Sequence, residues 1–225
     1  NCKVYWEPGS VILFSTSVKK NMIEFANNVN WEAYGCSFQM IWTGGAFPDD
    51  MDDGLLALFG VSNVTISGGT YKNGLIDGIY LGWDKVTHVP CDKIVISDVI
   101  CDGGRRQGMS LVHCKNVLVR DSKFVNTKGT SPQAGIDVEP EGGCFMSNIK
   151  FKNCHSGNNA SHAYICNFTK LSNLDPKIDV TFDNCTGSEI SNGDSIAVVG
   201  FSPREKSNPV KGKVLFNNCF TWQNV

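Results

Sequence analysis

The chain lacks the features that mark several large classes of protein. Lys and Arg number 20 against 22 Asp and Glu, and the resulting net charge of −2 offers no electrostatic basis for nucleic-acid binding. No apolar run approaches the roughly 20 residues that a membrane-spanning helix needs. The first residues do not have the basic start and apolar stretch of a signal peptide. We expect no nucleic-acid or membrane partner. Because both ends look unfinished, we also expect a fragment or processed piece of a longer protein.

The 10 cysteines do not form a recognisable metal or disulfide pattern. There is no CxxC pair and no Cys/His cluster with zinc-site spacing, so no structural metal is expected. Cys154, Cys185 and Cys219 instead recur at the same place in successive repeats. This favours stacked thiols that pack as small hydrophobic side chains, although one bridge between neighbouring repeats stays an alternative.

A helical period is also absent, and a repeat takes its place. Segments of the form small–apolar–x–apolar–x recur about thirty residues apart, a period typical of solenoids. The copies begin at Gly78, Gly108, Gly135, Ala163 and Ser195, with a looser copy at Gly54. A second series runs in phase with the first. In this second series, as in 116–119, β-branched and aromatic residues alternate with other residues. Each such segment is followed by a turn in which Asn or Asp is preferred.

Two series that keep in phase predict an all-β chain, a single-stranded right-handed parallel β-helix of about six to seven coils. Ile79, Met109 and Ile136 would form one inward column, and Leu81, Leu111 and Val138 another. An antiparallel β-sandwich is the alternative, since it also has many short strands separated by turns. We expect repeats over 54–225 and an N-terminal capping region over 1–53. The acidic run at 49–53 is interpreted as solvated, with a bound divalent cation as the alternative.

One copy of the repeat carries two acids on its outward face. Asp137 and Glu139 are separated by one residue of a strand, which puts their backbones roughly 6.5–7 Å apart. Inverting glycosidases hold their two carboxyl groups roughly 6.5–9.5 Å apart. Repulsion between the like charges would leave one group protonated and the other ionised. We predict Asp137 and Glu139 as the catalytic acid/base pair, with a solvated strand edge as the alternative.

Residues of neighbouring copies are predicted to bind substrate. Arg105 and Arg106 lie in the turn that leads into the adjacent strand, where an arginine could pair with the carboxylates or bind an anionic sugar. Tyr80 and Trp83 are expected to be exposed and to stack on a sugar ring, unless they cover the sheet or contact a second subunit. The predicted substrate-binding residues are Arg105, Arg106, Tyr80, Trp83, Ser110, His113 and Glu141. For His113, a purely structural role is the alternative.

The stretches 105–111, 116–119 and 126–140 resemble the pectate-lyase-like right-handed parallel β-helix superfamily, in particular bacteriophage tailspikes and bacterial β-helix repeat proteins. As architecture, the resemblance covers 54–225. It implies a polysaccharide partner that is cleaved by hydrolysis with paired carboxylates or by β-elimination. It also implies a homotrimer and an extracellular, cell-surface or virion-associated location. Signatures of the polygalacturonase and mannuronan epimerase branches are absent, so the resemblance does not determine the reaction.

Three functions stay open from the sequence. The leading hypothesis is a glycoside hydrolase that uses Asp137 and Glu139, without a cofactor, to depolymerise a complex polysaccharide of bacterial or other origin, with an acidic polysaccharide as one option. A polysaccharide lyase is the first alternative: Arg105 or Arg106 would abstract a proton next to a uronic carboxylate that a divalent cation such as Ca²⁺ neutralises. The second alternative is a non-catalytic glycan-binding or structural spike protein.

Overall fold

All the regular elements of the described chain are β-strands. A computed structural model describes residues 2–7, 9–16, 23–26, 31–42, 54–84, 86–188, 190–191, 196–199 and 210–222. The strands are β1 (Cys2–Tyr5), β2 (Val11–Thr16), β3 (Ile23–Ala26), β4 (Trp31–Tyr34), β5 (Ser37–Trp42), β6 (Gly54–Phe59), β7 (Ser62–Ser67), β8 (Thr70–Lys72), β9 (Asp77–Gly82), β10 (Cys91–Ser97), β11 (Ile100–Asp102), β12 (Gln107–Leu111), β13 (Cys114–Arg120), β14 (Lys123–Val125), β15 (Ala134–Val138), β16 (Met146–Lys152), β17 (His155–Gly157), β18 (His162–Asn167), β19 (Ile178–Asp183), β20 (Thr186–Ser188), β21 (Ile196–Val199), β22 (Gly212–Asn217) and β23 (Phe220–Trp222). Among these residues there is no helical segment of the length and hydropathy that a membrane span requires.

The strands form three parallel sheets that run along a solenoid. Sheet A contains every third strand from β1 to β22, sheet B those from β2 to β23, and sheet C those from β3 to β21. Each strand pairs in parallel with the strand three positions later, so one coil contributes one strand to each sheet. The predicted parallel β-helix is confirmed. The antiparallel sandwich is excluded, because its strands would pair in the opposite direction.

The inward columns predicted from the repeat are present. Met109 lies in register with Ile79 on one side and with Ile136 on the other, and all of these side chains are buried. Leu81, Leu111 and Val138 form the second column and are also buried. Because neighbouring strands of a sheet lie about 4.8 Å apart, such columns make one continuous apolar core along the axis.

The described cysteines belong to that core. Nine of them are free thiols, and all except the half-buried Cys219 are buried. Burial raises the pKa of Cys91 to about 11, which leaves its thiol protonated and unreactive. The interpretation of the cysteines as small hydrophobic side chains is confirmed for the part of the chain that the structure describes.

Polar turn residues stack beside the core, as the repeat predicts. Asp121 and Asn153 adopt left-handed backbone angles, with φ of 53° for both. The Asn153 side-chain amide donates to Asp121 at 2.9 Å, and Asn148 donates to Asn116 at 2.8 Å in a second ladder. Asn and Asp tolerate this backbone conformation better than most residues, which explains their recurrence at these turns.

The N-terminal strands continue the same architecture. β1 pairs with β4, and β4 pairs with β7, so strands within residues 1–53 lie on the sheets of the repeat region. The capping role of this region stays a prediction. Its acidic run at 49–53 lies outside the described residues.

Candidate active site

A cavity on the outer face of sheet C brings most of the predicted site residues together. Its volume is about 180 Å³, and it is lined by Tyr80, Trp83, Arg106, Ser110, Val112, Asp137, Glu139, Glu141 and Lys170. The register of the parallel strands brings these residues together, because Ser110 on β12 lies between Tyr80 on β9 and Asp137 on β15. Arg105 and His113 are the predicted site residues that do not line this cavity.

Asp137 is the most deeply buried acid that lines the cavity. The residue is 3% exposed, and its Oδ2 accepts a hydrogen bond from Gln107 Nε2 at 2.6 Å. Its Oδ1 is buried and has no hydrogen-bond partner among the described residues. Burial raises the pKa of Asp137 well above its ordinary value of 3.8, and the charges of Glu139 and Asp77 add to the shift. The positive charges of Arg106 and Lys170 act in the opposite direction and lower the pKa of Asp137. The environment therefore favours the protonated acid, and burial is a larger cause than the repulsion between the two carboxylates that the sequence suggested.

Glu139 has a different environment on the same strand edge. Its side chain is about one-third exposed. Its Oε1 accepts a hydrogen bond from Asn167 Nδ2 at 3.0 Å, and Lys170 Nζ lies 3.9 Å from the same oxygen. Lys170 also forms an ion pair with Glu141. The carboxylate of Glu139 thus has the Asn167 amide and the Lys170 ammonium group beside it, whereas Asp137 is buried.

Arg106 is held by an acid that the sequence argument missed. Its Nε and Nη2 donate to the two oxygens of Asp77 at 3.1 and 2.9 Å, and Ser110 Oγ donates to Asp77 at 2.7 Å. Asp77 is fully buried. A two-point contact of this kind fixes the plane of the guanidinium group as well as its position. The predicted partner of Arg106 was the Asp137–Glu139 pair, but its hydrogen-bonded partner is Asp77.

A shift in strand phase explains why Asp77 and Gln107 escaped prediction. Strict alternation would put Asp77 on the inner face, together with Ile79. Gly78, however, faces the core: a Cβ there would lie 3.1 Å from the Cβ of Cys101 and 2.6 Å from the carbonyl oxygen of Gly108. Only glycine fits at this crowded corner, so the residue before it turns outward. The glycine that begins the copies at Gly78, Gly108 and Gly135 was the available signal.

The two aromatic residues differ from their predicted exposure. Tyr80 is buried, at 7% exposed, and packs against Phe59 at a ring distance of 5.7 Å. The prediction that it is exposed is therefore wrong. The reason is that Ala57, Phe59 and Val112 form a small second apolar cluster around it on the outer face of sheet C. Trp83 is half-buried against the same cluster.

Arg105 and His113 lie away from the Asp137 cavity. Arg105 lines a separate cavity of about 460 Å³ together with Asn73 and Lys128. His113 is 5% exposed and lies between the rings of Trp83 and Phe145, at 6.3 and 5.7 Å. Neither ring nitrogen has a hydrogen-bond partner in the part of the chain that the structure describes. Burial, with smaller contributions from His88 and Lys115, lowers the pKa of His113 to about 4, so the imidazole is neutral at pH 7.

The acids near the cavity are matched by side chains rather than grouped for a metal. Within the described ranges, no three His, Cys, Asp or Glu side chains are arranged so that they could hold an ion. Asp77 faces Arg106, while Glu139 and Glu141 face Lys170.

Comparisons with known proteins relate the chain to polysaccharide-degrading enzymes at the level of fold. No protein-family model and no curated protein matches the sequence. The structure of pectate lyase Pel9A is similar with a TM-score of 0.61 and 10% identity, covering 96% of this chain and 54% of that one. An alginate lyase from Paenibacillus sp. str. FPU-7 gives a TM-score of 0.37 at 13% identity, over 96% of this chain and 91% of that one. The Agl-KA catalytic domain gives 0.41 at 12% identity, over 99% and 58%.

The likeness to the pectate lyase concerns the fold alone, because the two sequences are 10% identical, and this chain spans about half the length (54%) of that enzyme. It agrees with the parallel coils described above. The chain thus has the parallel β-helix fold of the pectate-lyase-like proteins.

Proposed function

We propose that this chain cleaves a polysaccharide in the Asp137 cavity, with Asp137 as the proton donor and Glu139 as the proton acceptor. The observation that carries the proposal is that the carboxyl groups of Asp137 and Glu139, two positions apart in the chain, have different environments. Asp137 is buried and favoured in its protonated form, whereas Glu139 reaches solvent beside Lys170 and Asn167. General acid–base catalysis needs one group of each kind on either side of the bond that breaks.

β-Elimination from a uronate-containing polysaccharide is the main candidate reaction. Glu139 would remove the proton from the carbon that bears the uronate carboxylate, and the electron pair left behind would form a carbon–carbon double bond. The bond between the next carbon and the glycosidic oxygen would break, and that oxygen would take the proton of Asp137. Arg106 and Lys170 supply positive charge in the same cavity for an anionic sugar. The pectate lyase fold supports elimination at least as well as hydrolysis.

This assignment changes the base that the sequence suggested for a lyase. Arg106 donates two hydrogen bonds to the buried carboxylate of Asp77, which favours the charged guanidinium and makes it a poor proton acceptor. Arg105 lines the other cavity. We therefore assign Arg106 to substrate binding and the proton transfer to Glu139.

Hydrolysis is the second candidate, and the position of the two acids supports it. Residues i and i+2 of a strand lie roughly 6.5–7 Å apart, near the carboxyl separation of inverting glycosidases at roughly 6.5–9.5 Å. Glu139 would then take a proton from water, whose oxygen attacks the anomeric carbon. The leaving oxygen would again take the proton of Asp137. The same pair thus serves both reactions, which differ in the proton that Glu139 removes and in which carbon–oxygen bond of the glycosidic link breaks.

Product analysis separates the reactions. A panel of acidic and neutral polysaccharides is incubated with the chain, and ultraviolet absorbance, reducing ends and polymer size are measured. New absorbance indicates elimination, and new reducing ends without it indicate hydrolysis. An unchanged polymer size across the panel would contradict cleavage and leave the non-catalytic glycan-binding or spike function.

Variants test the assigned pair. Asp137→Asn and Glu139→Gln should each lower turnover by about 10²-fold or more while leaving glycan binding intact. Asp179→Asn is the control, because this exposed acid pairs with Lys213 on sheet A, away from the cavity. Normal cleavage by both site variants would contradict the assignment.

The proposal also covers the oligomeric state of the protein and where it is located. The resemblance to tailspikes implies a homotrimer in an extracellular, cell-surface or virion-associated setting. Sedimentation velocity of the purified chain tests the assembly, and a monomer at micromolar concentration would contradict the trimer.

A further inference from the structure

A second cavity, the Arg105 cavity, lies at the turns that lead from sheet B to sheet C. Its volume is about 460 Å³. Arg105 and Lys128 supply its charges, Gln39 and Asn73 supply two side-chain amides, and none of its lining residues in the described chain is an acid. Guanidinium, ammonium and amide groups all carry N–H donors. The cavity therefore suits an anionic group that also carries hydroxyl oxygens.

Asp102, the acid that precedes one of these turns, faces other partners. Its Oδ1 accepts a hydrogen bond from Asn126 Nδ2 at 2.6 Å, and Lys72 Nζ lies 3.8 Å from its Oδ2. Asp102 does not line the Arg105 cavity. The positive character of the lining is thus not offset by this acid.

The Asp137 cavity is small and its cations are already matched. Its volume of about 180 Å³ lies below the roughly 300–1,000 Å³ of typical ligand pockets. Its two cations face acids of the chain, Asp77 for Arg106 and Glu141 for Lys170. A polysaccharide bound there must place most of its length on neighbouring surface.

A single turn separates the two cavities. Arg105 and Arg106 are consecutive residues, yet Arg105 lines the larger cavity and Arg106 the smaller one. Successive Cα atoms lie about 3.8 Å apart, so a polymer that crosses this turn can reach both cavities. Lys128 belongs to the equivalent turn of the next coil and adds its charge on the side of Arg105.

Both neighbouring coils hold this turn in place. The backbone N–H of Arg105 donates to the carbonyl oxygen of Gly74 at 3.0 Å, and the Arg105 carbonyl oxygen accepts from Thr130 at 3.0 Å. Gly129 packs on the stem of the Arg105 side chain, since a Cβ on Gly129 would lie 2.6 Å from Arg105 Cγ. The side chain is therefore restricted before a ligand arrives, which reduces the entropy lost on binding.

We propose that the Arg105 cavity is a second binding site for the same polysaccharide and holds one acidic unit of the polymer while another unit lies in the Asp137 cavity. The proposal rests on the proposed function and specifies its substrate class, a polymer with repeated acidic units. Two cations and no acid of the described lining give an anionic sugar its charge complement. The exposed side chain of Ile41 adds apolar surface for the face of a sugar ring.

Two variants remove the charges of the Arg105 cavity and keep an unbranched stem. Arg105→Met and Lys128→Met should weaken the binding of an acidic octasaccharide about tenfold and about threefold, because Arg105 is half-buried and Lys128 is exposed. Lys123→Met is the matched control, since it also removes one positive charge but Lys123 lines neither cavity. The Lys128 variant keeps the test valid if Arg105→Met fails to fold.

Isothermal titration calorimetry measures these affinities. The probes are octamers of galacturonate, mannuronate and glucuronate, with malto-octaose as the neutral sugar. Each variant is titrated in the Asp137→Asn background, where cleavage is expected to be slow. Equal affinities in Lys128→Met and Lys123→Met, or no binding of any acidic octamer, would overturn the proposal even if the chain cleaves polysaccharide.

Kinetics of the chain with Asp137 intact give a second readout. Arg105→Met and Lys128→Met should raise KM for long acidic polymers, with little change in kcat or in KM for the shortest oligomer that is cleaved, because only a long polymer reaches both cavities. An equal rise in KM for both lengths would overturn the proposal. If the octamer affinities fall as expected but no polysaccharide is cleaved, the second site stands and the proposed function fails.

Discussion

Two buried aspartates on the outer face of sheet C show how partners determine what a buried acid does. Asp77 is fully buried and Asp137 is 3% exposed, so burial hardly distinguishes them. Asp77 accepts two hydrogen bonds from the guanidinium of Arg106 and one from Ser110. Asp137 accepts a hydrogen bond from a neutral amide on one oxygen, and no described residue contacts the other oxygen with a hydrogen bond. The first acid anchors a cation, whereas the second is favoured in its neutral, protonated form.

The largest expected effect comes from breaking the Asp77–Arg106 pair. Asp77→Asn leaves a guanidinium without its buried counter-charge, and the loss of one partner of such a pair costs about 3–5 kcal/mol of unfolding free energy. Urea unfolding at pH 7 measures this cost. Asp179→Asn, at an exposed pair with Lys213, should change stability by less than about 1 kcal/mol. A similar small cost for Asp77→Asn would show that Asp77 is not the anchor described here.

His113 shows the effect of burial without pairing, because its buried ring has no hydrogen-bond partner within the described ranges. Its pKa is lowered from 6.5 to about 4, so the unfolded chain binds a proton in this interval and the folded chain does not. Stability should therefore fall as pH drops from 6.5 to 4, by about 3 kcal/mol in total. Unfolding free energies of the wild type and His113→Phe against pH measure it. A pH-independent difference between the two proteins would contradict the lowered pKa.

Asp137 should give a pH dependence of opposite sign. Its pKa is raised above 3.8, so the folded chain holds a proton that the unfolded chain releases. Stability should fall as pH rises above 3.8, by up to about 1.4 kcal/mol per pH unit, until the pH passes the folded-state pKa. The difference between wild type and Asp137→Asn isolates this slope from that of His113. A difference that rises with pH would mean that Asp137, like Asp77, is stabilised as a carboxylate.

The smallest effect is expected at the exposed side of the cavity. Lys170→Met removes the cation beside Glu139 and Glu141, which are about one-third exposed, so stability should change by less than about 1 kcal/mol. Under the proposed function, KM for an acidic polysaccharide should rise more than kcat falls, because a surface cation mainly binds the substrate. A large loss of stability would mean that Lys170 supports the fold rather than mainly binding the substrate.

The sequence predicted the members of the cavity that follow the strand period. Tyr80, Ser110 and Asp137 occupy equivalent places in three copies, and parallel pairing brings equivalent places together. The prediction failed where the period breaks or where loops contribute. Asp77 and Gln107 precede a glycine that faces the core, and Lys170 follows the end of β18 in a loop.

The environment of each side chain was less predictable than its position. Tyr80 was expected to be exposed, but the apolar cluster with Phe59 and Val112 buries it. His113 was predicted to bind substrate, with a structural role as the alternative, and it lies between the rings of Trp83 and Phe145. Burial depends on the volume of neighbours in adjacent coils, which a single repeat does not contain.

The sequence by itself determined the coil, the inward columns and the place of Asp137 and Glu139 on one outward edge. The reason is that alternation and a constant repeat leave few ways to pair strands about 4.8 Å apart. The tertiary structure decided that Asp77 pairs with a cation, that Asp137 accepts a hydrogen bond from an amide, and that the ring of His113 is buried. These outcomes depend on contacts between different coils, and such contacts set the charge state of each group.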